Sequence, residues 1–158
     1  MKLDSFDRAI LNQLQRDATV SMDRLAKVVG LSKTAAWNRV QRLQTDGIIT
    51  KQVVVLDAEK IGLSETFFIA IKTNQHNEQW LINFNSVIHR FPEMIEAHRL
   101  SGDTDYLIKV QVASTKEFDN LYKKIVASVD LYSVTSSLSM EVLKQNTALP
   151  LGSPAIDF

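Results

Sequence analysis

Three short hydrogen-bonding side chains recur at helical spacing between residues 34 and 41. When successive residues are placed at steps of about 100°, Thr34, Asn38 and Gln41 fall on one face of a helix. The opposite face carries the apolar residues Ala36, Val40 and Leu43. Burial of the apolar face would leave hydroxyl and amide groups exposed, and such groups hydrogen-bond to base edges in a DNA major groove. The spacing therefore makes the three polar residues candidates for base contacts.

The preceding residues predict how this helix is positioned. Residues 21–29 have the apolar spacing of a short helix, and Gly30 follows where a C-terminal cap favours a positive φ. Ser32 can then cap the next helix with its hydroxyl group. Two short helices joined by a tight turn are typical of a helix-turn-helix, whose second helix enters the major groove. A solvated helix surface without a partner is the alternative.

Residues that can contact the phosphate backbone surround the polar face. They are Ser32, Lys33, Arg39, Arg42 and Lys51. Phosphate contacts supply affinity and register, whereas base contacts supply sequence choice. Arg39 lies nearer the apolar side of the helix, so we expect it either to contact a phosphate or to have a structural role. Trp37 lies at the edge, where it either packs across the preceding helix or meets a thymine methyl group. We favour packing, because large aromatic side chains dominate cores.

Charge is distributed unevenly along a chain whose formal net charge is zero. Residues 1–51 carry nine basic and five acidic residues, a charge of +4, and the remainder carries −4. A basic front half suggests a module that faces nucleic acid, although such a split also arises by chance. The chain has no cysteine, no run long enough for a membrane helix, and acids near its start instead of a signal sequence. These features favour a cytoplasmic protein.

The first half predicts a small domain of three helices over residues 1–50. The first helix covers residues 4–17, with Asp4 as the N-cap and a buried stripe of Phe6, Ile10 and Leu14. The second helix presents the apolar residues Met22, Leu25, Val28 and Val29. Residues 48–56 are rich in β-branched side chains and predict a strand or short wing. We expect residues 51–65 to form a linker strand or hinge.

The second half, residues 66–158, has a different periodicity. Strands are predicted at 66–73, 94–100, 105–112 and 134–143, and helices at 78–91 and 116–129, with Pro92 ending the first of these helices. The order βαββαβ is that of a ferredoxin-like domain. In the first strand Phe67, Ile69 and Ile71 point one way and Phe68 and Ala70 the other. Helices cover one face only, so we expect a second copy to cover the other face in a homodimer. A monomer whose N-terminal domain or tail covers the sheet is the alternative.

Several short motifs occur in order along the chain: LDSFDRAIL (3–11), LAKVVGLS (25–32), RVQRL (39–43), DGII (46–49), LSGDTDYL (100–107) and TALPL (147–151). Together they resemble those of the leucine-responsive regulatory protein/asparagine-operon regulator (Lrp/AsnC) family of transcription factors. The resemblance covers nearly the whole chain. It departs at Ala35-Ala36, where family members often have Pro-Cys, and the core-side position of Ala36 makes packing the property affected.

The resemblance implies an α+β architecture, with an N-terminal winged helix-turn-helix domain joined to a ligand-sensing ferredoxin-like domain. It implies dimers formed through the sheets, assembling further into tetramers or octamers, with amino acids bound at interfaces. The chain would then be a nucleoid-associated regulator that binds double-stranded DNA and requires no cofactor. The effector, the operator and the direction of regulation are left open.

Candidate effector residues lie in a turn that the resemblance places near the last strand. They are Ser101, Gly102, Asp103, Thr104 and Asp105 in the turn, with Thr135, Ser136 and Ser137 in the strand. Gly102 allows backbone N–H groups to approach a ligand carboxylate, and Asp103 or Asp105 could pair with an ammonium group. A hairpin turn that satisfies only its own geometry predicts the same residues. Further ligands for a metal ion are lacking near the two carboxylates.

An enzyme is the second class of function considered. Sirohaem decarboxylases resemble this architecture and would need cationic and histidine side chains around a large pocket. The three histidines, His76, His89 and His98, are scattered, and neither a nucleophile–base set nor a phosphate-binding glycine loop stands out. We therefore do not expect catalysis. A third interpretation is an architectural protein that binds DNA with little sequence preference and steep salt dependence.

Overall fold

The computed structural model describes residues 2–75 and 77–152, which divide into two compact units. The first, here called the helical unit, contains residues 2–54 and returns for residues 144–152. The second, the sheet unit, contains residues 55–143. The division differs from the expected domains, because the last described residues pack with the N-terminal helices. Within the described residues, no helix is long and apolar enough to cross a membrane.

Three helices form the helical unit: α1 (Ser5–Arg16), α2 (Met22–Val29) and α3 (Lys33–Thr45). Asp4, Ser21 and Ser32 cap them by accepting backbone N–H groups with their side chains. Gly30 ends α2 with φ of 73°, a conformation that strains any residue with a Cβ atom. The caps at Asp4, Gly30 and Ser32 are those predicted, and Ser21 is a further one. The core cluster consists of the buried residues Ile10, Leu11, Leu25, Val29, Val40 and Leu43.

Two residues expected in the core of this unit lie at its surface. Phe6 is 39% exposed and Val28 is 58% exposed. In α1 the buried face is rotated by one residue from the predicted stripe, so that Asp7 and Leu11 join Ile10 inside. The prediction was wrong at Phe6 and Val28 because their apolar side chains were assumed to be buried.

The expected strand or wing at residues 48–56 is absent from this part of the structure. The segment has no regular secondary structure, and Val53 to Leu56 are each more than 60% exposed. A strand needs a neighbouring backbone to accept and donate its ladder hydrogen bonds, and no segment of the described chain supplies one. β-Branched residues favour a strand, but without a neighbouring strand the segment cannot form one.

The segment at residues 149–152 docks on α1 through its backbone. Gln15 accepts the Leu149 N–H at 2.6 Å and donates to the Leu149 carbonyl at 3.3 Å. Arg8 donates to the Leu151 carbonyl at 2.6 Å, and Asn12 donates to the Gly152 carbonyl at 3.2 Å. The Leu151 side chain packs against the core of the helical unit. The segment therefore completes the N-terminal domain.

The sheet unit has the predicted βαββαβ order. Its elements are β1 (Glu65–Lys72), α4 (Glu78–Arg90), β2 (Met94–Arg99), β3 (Tyr106–Val112), α5 (Thr115–Ser128) and β4 (Ser133–Leu138). The strands are ordered β2-β3-β1-β4, with all neighbours antiparallel. Phe67, Ile69 and Ile71 of β1 are buried, as their alternation predicted. The last strand was expected to reach residue 143 but ends at Leu138, where its pairing with Phe67 of β1 stops.

The open face of the sheet is mixed in character. Phe68 is 37% exposed there, beside Ala70 and Leu107. Polar pairs flank this apolar strip: Lys109 binds Glu96 at 3.3 Å, and Thr66 donates to Gln111 at 2.8 Å. A strip of this kind suits a partner surface that is itself part apolar and part polar.

The docked segment gives a test of the unit boundary. Leu151→Ala should lower the unfolding free energy of the helical unit by about 1–2 kcal/mol, because it removes apolar surface that is partly buried. Leu149→Ala is the matched control, since Leu149 is 69% exposed. Chemical denaturation monitored by hydrogen exchange in α1 measures the difference. Equal effects of the two substitutions would show that the segment does not stabilise this unit.

Candidate nucleic-acid interface and ligand region

One face of helix α3 is buried in the core of the helical unit, and the opposite face is exposed to solvent. Ala36, Val40 and Leu43 are buried, at 0–5% exposure. Thr34, Asn38 and Gln41 are all exposed on the opposite side. The amide of Gln41 donates to Gln44 at 3.1 Å, which leaves its carbonyl oxygen available. The face expected to contact bases is therefore presented to solvent.

Trp37 does not pack across α2, and the expectation that it would is wrong. Its exposed fraction is 51%. The α2–α3 contact is closed by smaller side chains, such as Leu25 and Val40, that meet without it. An indole ring this exposed, next to Asn38 in sequence, belongs to the accessible surface of α3.

Each basic residue of α3 is paired with a carboxylate of the same unit. Lys33 Nζ lies 2.9 Å from Asp23 Oδ2, and both side chains are well exposed. Arg39 and Arg42 contact the carboxylates at the start of α1. Lys51, which follows α3, is exposed, and within the described residues it has no ion pair. Ser32 accepts the Ala35 N–H with its hydroxyl oxygen, and its hydroxyl proton remains to donate.

Asp7 was not predicted as a site residue, yet it is the most constrained polar group of the helical unit. Its side chain is 2% exposed. Oδ1 accepts Arg39 Nη1 at 2.8 Å and Arg42 Nη2 at 2.6 Å, and Oδ2 accepts the Asp4 backbone N–H at 3.2 Å. The signal for it in the sequence was the three-residue spacing of the two arginines, which places them on one side of α3.

Asp4 links the same cluster to the helix cap. Its Oδ1 accepts the Asp7 N–H at 2.8 Å, and its Oδ2 accepts Arg39 Nη1 at 2.6 Å. The backbone hydrogen bond from Asp7, and then the Arg39 guanidinium, hold the pKa of Asp4 below its ordinary value, while burial acts in the opposite direction. Arg39 also lies over the Phe6 ring, 5.3 Å from its centroid. Arg39 is therefore a structural residue of the α1–α3 contact.

The turn between β2 and β3 contains the first group of candidate effector residues. Asp105 is committed to the fold: its Oδ2 accepts the Thr73 N–H at 2.8 Å and its own N–H donates to the Ile71 carbonyl. Asp103 is 91% exposed and pairs with Lys72 Nζ at 2.6 Å. Gly102 has φ of 130°, and Ser101 and Gly102 are exposed while Thr104 is half-buried. The turn is anchored at Asp105 and open to solvent at Asp103.

The second group, on β4, is divided between the two faces of the sheet. Thr135 pairs with Ala70 and Ser137 with Phe68, so both lie on the open face. Ser136 pairs with Ile69 and therefore lies on the helix-covered face, although it is exposed at the sheet edge. Because Lys72 pairs with Ser133, the turn residue Asp103 lies nearer Thr135 than Ser137 along β1. Ser136 therefore lies on a different face of the sheet from Thr135 and Ser137.

The histidines are not brought together in the part of the sheet unit that the structure describes. His89 Nδ1 contacts the Asn85 carbonyl oxygen at 2.8 Å on α4, and His98 Nε2 lies 3.6 Å from Glu96 on β2. His76 lies outside the described residues. The groove of about 610 Å³ between α4 and β2 is lined by both described histidines and by apolar residues including Phe84 and Tyr106. None of the eight effector candidates lines that groove.

Two family models match the chain in sequence order. The AsnC-type helix-turn-helix domain matches residues 3–44, and the Lrp/AsnC ligand binding domain matches residues 66–149. The chain belongs to the Lrp/AsnC family. The family resemblance is thereby confirmed, as is the α+β architecture with an N-terminal helix-turn-helix and a four-stranded antiparallel sheet.

Known regulatory proteins match this chain over nearly their full length. The glutamate uptake regulatory protein of Zymomonas mobilis is 49% identical over 150 residues, which cover 95% of this chain and 92% of the relative. The DNA-binding transcriptional activator DecR of Escherichia coli is 45% identical over 150 residues, covering 94% and 99%. The crystal structure of an AsnC family regulator from Agrobacterium tumefaciens gives a TM-score of 0.91 at 42% identity, covering 94% and 97%. The chain is thus a transcriptional regulator of the Lrp/AsnC type.

The lowered pKa of Asp4 predicts an acid-sensitive contribution to stability. Since the pKa in the folded protein is below the unfolded value, the stabilisation is complete above the unfolded pKa and is lost as the pH falls through the folded one. NMR titration of the Asp4 carboxyl group should therefore show a pKa below its ordinary value. In Arg39→Ala the value should rise but stay below the ordinary one, because the Asp7 N–H remains. An unchanged pKa in Arg39→Ala would contradict this assignment.

Proposed function

We propose that this Lrp/AsnC protein binds a specific DNA sequence through α3 and responds to an amino acid or a close relative of one. The observation that carries the first part is the exposed polar face of α3, held outward by a buried apolar face and by caps at Gly30 and Ser32. A helix presented this way can enter a major groove with its side chains directed at base edges.

Thr34, Asn38 and Gln41 are the proposed base contacts. An amide such as that of Asn38 can donate to and accept from one adenine edge at the same time, which discriminates adenine from the other bases. The exposed Trp37 ring adds an apolar surface suited to a thymine methyl group. This use of Trp37 replaces the packing role expected from the sequence.

Ser32, Lys33, Arg42 and Lys51 are the proposed phosphate contacts. Lys33 is exposed and its ion pair with Asp23 is exposed too, so a phosphate can replace the carboxylate at little cost. Arg42 is 45% exposed and uses only Nη2 on Asp7, which leaves its other N–H groups to donate. Arg39 is excluded from this set, because Asp4 and Asp7 already hold it.

Two copies would place two such helices on one DNA site. The mixed open face of the sheet, with Phe68 between polar pairs, supports a dimer formed through the sheets. A two-fold dimer binds a pseudo-palindromic site whose halves lie about one helical turn apart. Assembly of dimers into tetramers or octamers would extend the contact along the DNA.

The proposed effector region combines the β2–β3 turn with the open-face residues of β4. Asp103 offers a carboxylate to an ammonium group, Lys72 offers the opposite charge to a carboxylate, and Thr135 offers a hydroxyl group. An amino acid carries both of the charged groups that these residues complement. An effector of this class also agrees with the name of the glutamate uptake regulator, and it would act by binding one arrangement of the assembly more tightly than another.

Substitutions on α3 test the DNA part of the proposal. A duplex is first selected from a random pool with the wild-type protein and compared with a scrambled duplex of equal length. Asn38→Ala should weaken binding to the selected duplex by about 1–3 kcal/mol and leave binding to the scrambled duplex nearly unchanged. Lys51→Ala should weaken both and reduce the salt slope by about one.

Thr34→Ala and Thr19→Ala form a matched pair for the same assay. Both threonines are exposed, but Thr19 lies in the turn after α1, where its hydroxyl group donates to Asp17, and not on α3. Only Thr34→Ala should lower the affinity for the selected duplex. Equal affinities of Asn38→Ala, Thr34→Ala and wild-type protein would contradict the assignment of α3. Equal affinities of the wild-type protein for the two duplexes would instead favour an architectural role.

Thermal shift with the twenty amino acids tests the effector part. One or a few amino acids should raise the unfolding midpoint in proportion to the logarithm of their concentration. Thr135→Ala should abolish that shift, whereas Ser136→Ala, one residue along on the other face, should retain it. If the ligand still raises the unfolding midpoint of Thr135→Ala, the ligand binds at a site that does not include Thr135. A visible absorbance change with tetrapyrrole in the absence of any such shift would favour the enzyme interpretation.

A further inference from the structure

The start of α1 and the middle of α3 form a charge cluster, and of its four members only Arg42 is among the DNA contacts proposed above. Two carboxylates, Asp4 and Asp7, meet two guanidinium groups, Arg39 and Arg42, at distances of 2.6–2.8 Å. The cluster is neutral as a whole. Its centre is Asp7 Oδ1, which accepts one hydrogen bond from each arginine.

The Asp7 carboxylate at this centre is buried. The Asp7 side chain is 2% exposed, so its charge is removed from water and depends on the two arginines for compensation. The two arginines differ in their exposure to solvent and in the number of carboxylates that they bind. Arg39 is 26% exposed and binds both carboxylates, whereas Arg42 is 45% exposed and binds only Asp7. Asp7 thus fixes one end of the Arg42 guanidinium and leaves the other end in solvent.

Arg42 lies beside the proposed base contact Asn38 on α3, so its contact with Asp7 can affect DNA binding. Arg42 follows Asn38 by four residues, so the two side chains are neighbours along one side of the helix. A guanidinium held by its side-chain stem and by one hydrogen bond has a narrowed range of directions for its remaining donors, and a planar group of this kind recognises phosphate oxygens in two-point fashion. A phosphate contact with a fixed direction sets the register of the neighbouring base contact.

We infer that Asp7 is a positioning residue for DNA recognition, which acts by holding Arg42 against a phosphate next to the base read by Asn38. This role rests on the proposed function of α3. It goes beyond that function because Asp7 is buried on another helix and touches no DNA itself. A free Arg42 would still be attracted to phosphates, but to phosphates of any sequence.

Removal of the negative charge of Asp7 should, by electrostatics alone, strengthen binding to any DNA, but we expect it to weaken binding to the selected duplex. Asp7→Asn raises the net charge by one and should leave binding to a scrambled duplex unchanged or stronger. Binding to the selected duplex should weaken, because Arg42 loses its anchor. The ratio of the two affinities should therefore fall about tenfold, the effect of one charge-assisted hydrogen bond. A loss of folded protein alone would lower both affinities together and leave the ratio unchanged.

Asp17→Asn is the matched control. It makes the same chemical and charge change at the other end of α1, where Asp17 caps the helix and binds Thr19, and in the described part of the chain it contacts no arginine of α3. The affinity ratio should stay at its wild-type value. Asp7→Glu keeps the buried charge but shifts the anchor by one methylene group. It should lower the ratio by less than Asp7→Asn does.

A double-mutant cycle shows whether Asp7 acts through Arg42. In an Arg42→Ala background, Asp7→Asn should cause no further fall in the ratio. Fully additive effects would overturn the inference, as would an unchanged ratio in both Asp7→Asn and Asp7→Glu. A wild-type protein that selects no sequence from the random pool would overturn the proposed function itself. A successful selection with an unchanged ratio would overturn the role of Asp7 alone.

Discussion

Burying a carboxylate costs several kcal/mol unless donors and opposite charge replace its water. In the helical unit that requirement is met at Asp7, by two arginines of α3 and one backbone N–H of α1. The apolar core alone would allow α3 to rotate or slide by small amounts, because dispersion contacts have little direction. The hydrogen bonds at Asp7 have direction, so the face of α3 that carries Asn38 is fixed relative to α1. Folding and the proposed recognition of DNA therefore depend on the same contacts at Asp7.

The sheet unit depends on the alternation of side chains along its strands. Phe67, Ile69 and Ile71 enter the core, and Phe68 and Ala70 are thereby directed to the open face. The same alternation separates Thr135 and Ser137 from Ser136 on β4. A face chosen for packing against helices therefore decides which hydroxyl groups a ligand or a second copy can reach.

Local rules predicted much of this structure. Ser21, Gly30 and Ser32 marked helix ends, and the spacing of Val40 and Leu43 showed the inner face of α3, because caps and periodicity depend on neighbours in sequence. What escaped prediction depends on distant residues. Asp7 is buried because of arginines more than thirty residues away, and Trp37 is exposed because other side chains close the α2–α3 contact. The strand expected at residues 48–56 lacked a partner backbone, which no local pattern reveals.

The helical unit is discontinuous in sequence, since Leu149 and Leu151 join α1 after the whole sheet unit has intervened. During synthesis, the ribosome completes every strand of the sheet before it releases the segment that docks on Arg8, Asn12 and Gln15. The sheet unit can therefore fold as a unit on the ribosome, while the helical unit acquires its contacts with the docked segment only after the sheet unit has been synthesised. A nascent chain interrupted within the sheet unit would carry the three N-terminal helices without the segment that completes their unit.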